Sequence, residues 1–141
     1  MNRDIYKKIE KYLYKYKNID TSIKDIKNSI AEHLQLGYSN WIKSKTNNGI
    51  TLEDKIIEME NNRTILKLEA WKELISEILE KYKKYDVIKY QYICLKYFNN
   101  ANIEEITEKL QVNKKEQKDM QDIIIKHIFS CAIRKKLLKR E

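Results

Sequence analysis

Cationic and amide side chains are concentrated between residues 113 and 121, and they are the groups in this chain best suited to bind a ligand. The set is Asn113, Lys114, Lys115, Gln117, Lys118 and Gln121. Lysine ammonium groups bind phosphates and guanine edges, whereas Asn and Gln amides pair with adenine edges or position the nucleic-acid backbone. These residue types in this spacing therefore point to recognition of duplex DNA.

The elements that position this set are two short helical segments joined by a tight turn. Ile103, Ile106 and Leu110 have the i, i+3, i+7 spacing of one apolar helix face. Asn102 and Asn113 are each followed three residues later by a glutamate, which is the spacing of an N-cap with an acidic residue reaching back. Two such caps predict two helices with a turn at 111–113, which is the helix-turn-helix arrangement.

A third helix is expected before this pair, so that the C-terminal region forms a trihelical unit. Asp86 is placed to cap a helix over 87–98, with Ile88, Tyr92 and Leu95 facing the core, and 99–102 is a polar turn. The last helix begins at Lys114 and continues past Ile133. Its apolar stripe is longer than a trihelical unit needs, which favours docking on another helix or on a partner chain. The stripe is Met120, Ile123, Ile124, Ile128, Cys131, Ala132 and Leu137.

The segment from Leu95 to Lys118 resembles the C-terminal helix-turn-helix of sigma factors, region four. The whole chain is similar to phage late-gene transcriptional regulators of the ArpU and RinA kind. Supporting segments are Ile9–Tyr16, Asp25–Ile30 and Leu52–Ile57. The resemblance implies a regulator that activates phage or prophage late genes and contacts RNA polymerase. We also expect a homodimer, because a single helix-turn-helix supplies few contacts for specificity.

The first half of the chain predicts a helical hairpin followed by a long helix. Apolar periodicity indicates helices over 3–17 and from a cap at Asp20, Thr21 or Ser22, and the stretch from Gly37 to Ile50 has the composition of a loop. Thr51 then opens a helix of about 30 residues. The expected fold is all-α: a hairpin and linker (1–50), a long central helix (51–85) that bridges two lobes or packs on a second copy, and the DNA-binding unit (86–141).

Charge and composition agree with a helical DNA-binding protein but do not establish one. The chain has 141 residues, no Pro, two Gly and a net charge of +8. Residues 113–141 hold nine basic and four acidic groups, a net +5, which is the electrostatic signature of a nucleic-acid binder or only of a basic surface. The basic tail from Arg134 either contacts phosphate or is a solvated end.

Other functional classes receive little support. We find no phosphate-binding glycine loop, no nucleophile elbow and no metal-ligand spacing, so we expect no enzyme, no cofactor and no metal. Cys94 and Cys131 predict reduced, buried thiols, and no apolar run suits a signal peptide or a membrane span, so we expect a cytoplasmic protein. Two alternatives remain. One is a protein-binding helical adaptor, such as an anti-repressor or a polymerase-binding module, that does not bind DNA itself, and the other is a structural oligomer built on the central helix.

Overall fold

The computed structural model describes residues 1–44 and 52–139, with side chains described for residues 1–32 and 56–139. The described part is all-α and contains no strand, as the sequence predicts. Its elements are α1 (Arg3–Lys15), a 3-10 turn (Tyr16–Asn18), α2 (Ile19–Ser44), α3 (Leu52–Tyr85), α4 (Val87–Ile93) continuing into a π-helical turn (Cys94–Phe98), α5 (Ile103–Leu110) and α6 (Lys114–Arg134).

The chain divides into two compact units that do not follow the predicted segments. Unit 1 combines residues 1–17 with residues 70–141, and unit 2 is the continuous stretch 18–69. Helix α1 therefore belongs with the C-terminal helices, whereas the sequence grouped it with α2 in an N-terminal hairpin. Helix α3 contributes its N-terminal half to unit 2 and its C-terminal half to unit 1.

Unit 1 is built around one hydrophobic core. Ile9 and Leu13 of α1 are completely buried in it, as is Trp71 of α3. Tyr12 stacks on Trp71 with ring centroids 4.4 Å apart, so this tyrosine of α1 acts in packing. The other core members are Leu74, Ile75, Ile78, Leu79, Tyr82, Tyr92, Ile93, Tyr97, Ile106, Val112, Ile124, Ile125, Ile128 and Ala132.

Two predictions about α2 are wrong. No residue among 20–22 caps it, because the 3-10 turn leads directly into the helix at Ile19, which leaves Asp20 in the first turn. The predicted loop at 37–50 is helical as far as Ser44, and the rest of it lies outside the described residues. One Gly inside a helix costs only about 1 kcal/mol relative to Ala, and no Pro stops the helix there.

Helix α3 confirms the long central helix, with 34 residues and no interruption. Its acidic side chains at 60, 69, 73, 77 and 80 are exposed, as expected for a solvated face. The predicted cap at Thr51 lies outside the described residues. In unit 2 the buried side chains of α2 and α3 include Ile19, Ile23 and Ile65.

Several side chains predicted to face the core of the trihelical segment are exposed instead. Ile88 is 50% exposed, Ile103 43% and Ile123 52%. Tyr92 is buried and Leu95 is partly buried, as predicted. Ile88 lies in the first turn of α4, next to the equally exposed Val87. Periodicity alone assigned these residues to the interior, because it locates a helix face but not what covers that face. The thiols of Cys94 and Cys131 are free but only partly buried.

The assignment of α1 to the C-terminal core can be tested with a matched pair of substitutions. Ile9→Ala should lower the free energy of unfolding of unit 1 by about 2–5 kcal/mol, because the side chain is fully buried. Ile88→Ala removes the same atoms from an exposed site and should cost less than about 1 kcal/mol. Urea denaturation followed by Trp71 fluorescence, in a Trp41→Phe background, measures both. Equal losses would contradict the assignment.

Candidate nucleic-acid interface

The turn between α5 and α6 is closed by local hydrogen bonds. Gln111 ends α5 in the left-handed conformation (φ 58°), and its backbone N–H donates to the Thr107 carbonyl at 2.9 Å. Its side-chain amide also donates to the Glu108 carbonyl at 3.0 Å. Glycine is the residue most often found at this position of a helix end, and the extra side-chain hydrogen bond offsets part of the cost of a residue with a Cβ.

The helix starts predicted from the two asparagines are confirmed. Asn113 accepts a hydrogen bond from the Glu116 backbone N–H at 2.8 Å, and Glu116 accepts one from the Asn113 N–H, which completes a capping box. Asn102 accepts from the Glu105 N–H at 2.8 Å at the start of α5. The carbonyl oxygen of the Asn113 side chain is thus occupied, so only its amide nitrogen is available to a ligand.

Gln117 is buried, whereas reading a base edge requires an exposed side chain. Only 4% of the residue is exposed. Its amide nitrogen lies 2.8 Å from the Thr107 hydroxyl, 3.1 Å from the Ile103 carbonyl and 3.3 Å from the Val112 carbonyl. The spacing carried the signal: Gln117 is seven residues before Ile124, on the inward face of α6. Its amide ties α6 to α5 across the turn.

The three lysines of the predicted set are exposed on the first two turns of α6, as the sequence suggested. Lys118 has 62% of its side chain exposed and lies 3.3 Å from a carboxylate oxygen of Asp122. Its ammonium group also lies 5.4 Å from the ring centroid of Tyr6, on α1. An exposed pair of this kind contributes about 1 kcal/mol at most, so Lys118 can exchange Asp122 for another anion at little cost.

Gln121 is partly buried and is held by α1. Its amide nitrogen donates to Glu10 at 2.9 Å, and the same carboxylate oxygen accepts a hydrogen bond from the Tyr97 hydroxyl at 2.8 Å. Tyr6 in turn donates to Asp122 at 2.9 Å. Burial and the neighbouring carboxylates raise the pKa of both tyrosines, so both hydroxyls stay protonated donors. Sequence reasoning missed these α1 residues because only the tertiary fold brings them to α6.

A cavity of about 400 Å³ lies beside the start of α6. Four of the six predicted site residues line it, namely Lys114, Gln117, Lys118 and Gln121; Asn113 and Lys115 do not. Lys96, from the π-helical turn, also lines it and had not been predicted. Burial is the main cause that lowers the pKa of Lys96; the nearby Glu10 carboxylate opposes this shift, and the positive charge of Lys118 adds a smaller contribution in the lowering direction. Three lysines from two elements thus line the cavity.

The charge of the α5–α6 segment is less favourable to DNA than the charge of the C-terminal region as a whole. Residues 103–122 hold four basic and six acidic side chains, a net −2. The basic excess lies after residue 122, where Lys126 and the tail from Arg134 contribute most of it. Any attraction of this segment for phosphate must therefore come from the arrangement of individual lysines rather than from its net charge.

The described residues contain no group of three or more His, Cys, Asp or Glu placed to hold a metal ion. Within the same part of the chain, none of the helices has the length and apolar character needed to span a bilayer. His127 is partly buried, and its ring nitrogen Nδ1 lies 2.8 Å from the Tyr82 hydroxyl. Burial and nearby cations lower the pKa of His127, which favours the neutral ring as the acceptor of that hydrogen bond.

Comparison with known proteins identifies no relative: no family model, no curated protein and no solved structure matches this chain.

Because the Gln117 side chain connects α6 to α5, its replacement by Ala should destabilise the fold. Gln117→Ala should lower the free energy of unfolding by about 1–3 kcal/mol, because the buried Val112 carbonyl and the partly buried Ile103 carbonyl lose a donor. Gln91→Ala, at an exposed site on α4, is the matched control and should change it by less than about 0.5 kcal/mol. Urea denaturation measures both. If the two variants were equally stable, Gln117 would not be the tie between α5 and α6.

Proposed function

We propose that this protein is a sequence-specific, duplex-DNA-binding transcriptional regulator in which α5 and α6 act as a helix-turn-helix. The first turns of α6 enter the major groove. One observation carries the proposal: Lys114, Lys115 and Lys118 are exposed together at the start of α6, while the buried Gln117 fixes this helix to α5. A rigid helix with a cationic exposed end is what major-groove recognition requires.

Each side chain of the set has a distinct part in the proposal. The three lysines contact phosphates or guanine edges. Asn113 offers its free amide nitrogen beside the capped helix start. Gln121 reads a base only after its amide leaves Glu10, so a base contact there competes with a hydrogen bond to α1. Gln117 takes no part in readout and instead positions α6.

The resemblance to sigma region four and to the ArpU and RinA regulators extends the proposal. It suggests activation of late phage or prophage genes, contact with RNA polymerase and action in the cytoplasm. A homodimer is also part of the proposal, because two copies of α6 on adjacent half-sites double the few contacts that one helix provides.

A protein-binding adaptor is the second candidate, and one observation favours it. Residues 103–122 carry a net charge of −2, and Ile103 and Ile123 are exposed within that segment. An acidic surface with exposed apolar side chains suits a protein partner better than a phosphate backbone. Such an adaptor would bind no duplex at any salt concentration.

A selection experiment tests the proposal. The full-length protein is incubated with a pool of randomised duplexes, and the recovered sequence is titrated by fluorescence anisotropy at several salt concentrations with a scrambled duplex as control. Replacing Lys114, Lys115 and Lys118 together by Ala should weaken binding roughly a hundredfold or more at 0.1 M salt. It should also reduce the slope of log K against log salt concentration by about 3, because three phosphate contacts are lost.

The matched control removes three exposed lysines from unit 2, by Lys24→Ala, Lys27→Ala and Lys67→Ala. It has the same net charge as the test variant and should retain most of the affinity. An equal effect of the two triple variants would mean that only net charge matters. Recovery of no duplex at all would reject DNA binding in favour of the adaptor.

A further inference from the structure

Three lysines that the fold does not neutralise fully line the cavity beside α6. Lys96 lies on the π-helical turn after α4, and Lys114 and Lys118 lie on α6. Among the described contacts, neither Lys96 nor Lys114 has a carboxylate within salt-bridge distance, and Lys118 has only the partly buried Asp122. Like charges that converge in a cavity repel one another, and a bound anion would remove that repulsion.

The ammonium group of Lys96 lies near two aromatic rings. Its ammonium group lies 5.6 Å from the ring centroid of Tyr97 and 6.0 Å from that of Tyr92, both of which are buried. Cation–π contacts of this kind orient the charge without neutralising it. Burial lowers the pKa of Lys96, and the nearby Glu10 carboxylate offsets only part of that effect.

The nearby acidic groups are mostly committed to other donors. Glu10 accepts hydrogen bonds from Tyr97 and Gln121, and Asp122 accepts one from Tyr6. Glu104 is the one carboxylate among the residues lining the cavity, and it opposes an incoming anion. Removal of the Glu104 carboxylate should therefore strengthen anion binding, whereas removal of a lysine should weaken it.

We propose that this cavity is a phosphate-binding subsite, in which a phosphodiester group of duplex DNA lies between Lys96, Lys114 and Lys118. This inference rests on the proposed function and extends the DNA interface to Lys96, a residue outside the helix-turn-helix. A volume of about 400 Å³ is within the range of small-ligand pockets, so the cavity has room for a phosphate and its adjoining sugar. The contact carries no sequence information and fixes how α6 sits on the duplex.

Lys96→Gln tests the subsite in the full-length protein. It should weaken binding by about tenfold at 0.1 M salt, to the same extent for selected and scrambled duplexes, and reduce the salt slope by about 0.9, because one phosphate contact is lost. Lys96→Arg should keep the wild-type slope, and Glu104→Gln should tighten binding. Lys24→Gln, an exposed site in unit 2, is the control of equal charge. Thermal unfolding shows whether each variant is folded.

Inorganic pyrophosphate separates a backbone phosphate from a free one. If the subsite serves DNA, pyrophosphate competes with the duplex and does so less well on Lys96→Gln. If wild-type protein binds the duplex but Lys96→Gln and Lys24→Gln behave alike, the subsite is rejected and the proposed function stands. If no duplex binds but pyrophosphate raises the melting temperature of the wild type and not of Lys96→Gln, the cavity is a free-anion site, and both the duplex contact and the proposed function fail.

Discussion

The C-terminal half of this chain depends on a contact with its own N-terminus. Ile9 and Leu13 of α1 are completely buried among the helices that follow residue 70, and Tyr12 stacks on Trp71. Burying an aliphatic side chain of this size contributes about 1.5–3 kcal/mol. Helix α1 therefore completes the core against which α4, α5 and α6 pack, and the trihelical segment is not an independent domain in this structure.

The same contact determines the polar surroundings of the proposed interface. Because α1 lies against α6, Glu10 engages Gln121 and Tyr6 engages Asp122. Two side chains of the α6 surface are thus occupied by the N-terminus, while the lysines at its first turns remain exposed. The predicted set is therefore divided: Lys114, Lys115 and Lys118 are exposed, Gln117 connects α6 to α5, and Gln121 is bound to α1.

What the sequence predicted well was decided by local chemistry. The bounds of α5 and the start of α6 follow from Asn102 and Asn113, whose side chains cap the next backbone N–H groups whatever the tertiary fold. The exposure of Ile88 depends on which neighbour covers that helix face, which no local pattern encodes, whereas the inward position of Gln117 follows from its seven-residue spacing to Ile124. The placement of α1 joins residues more than eighty positions apart in the sequence, such as Glu10 and Tyr97. Lys96 reaches the cavity from a different element than Lys114 and Lys118. Only the folded chain reveals either contact.

The most direct test of the central claim is a titration of the isotope-labelled full-length protein with a selected duplex, followed residue by residue in amide NMR spectra. The account predicts that the largest shifts fall on the start of α6, from Lys114 to Lys118, and on Lys96, while residues 18–69 change little. Shifts confined to residues 18–69, or no shifts at protein and duplex concentrations of about 0.1 mM, well above the roughly 10⁻⁸ M affinity typical of specific DNA binders, would contradict it.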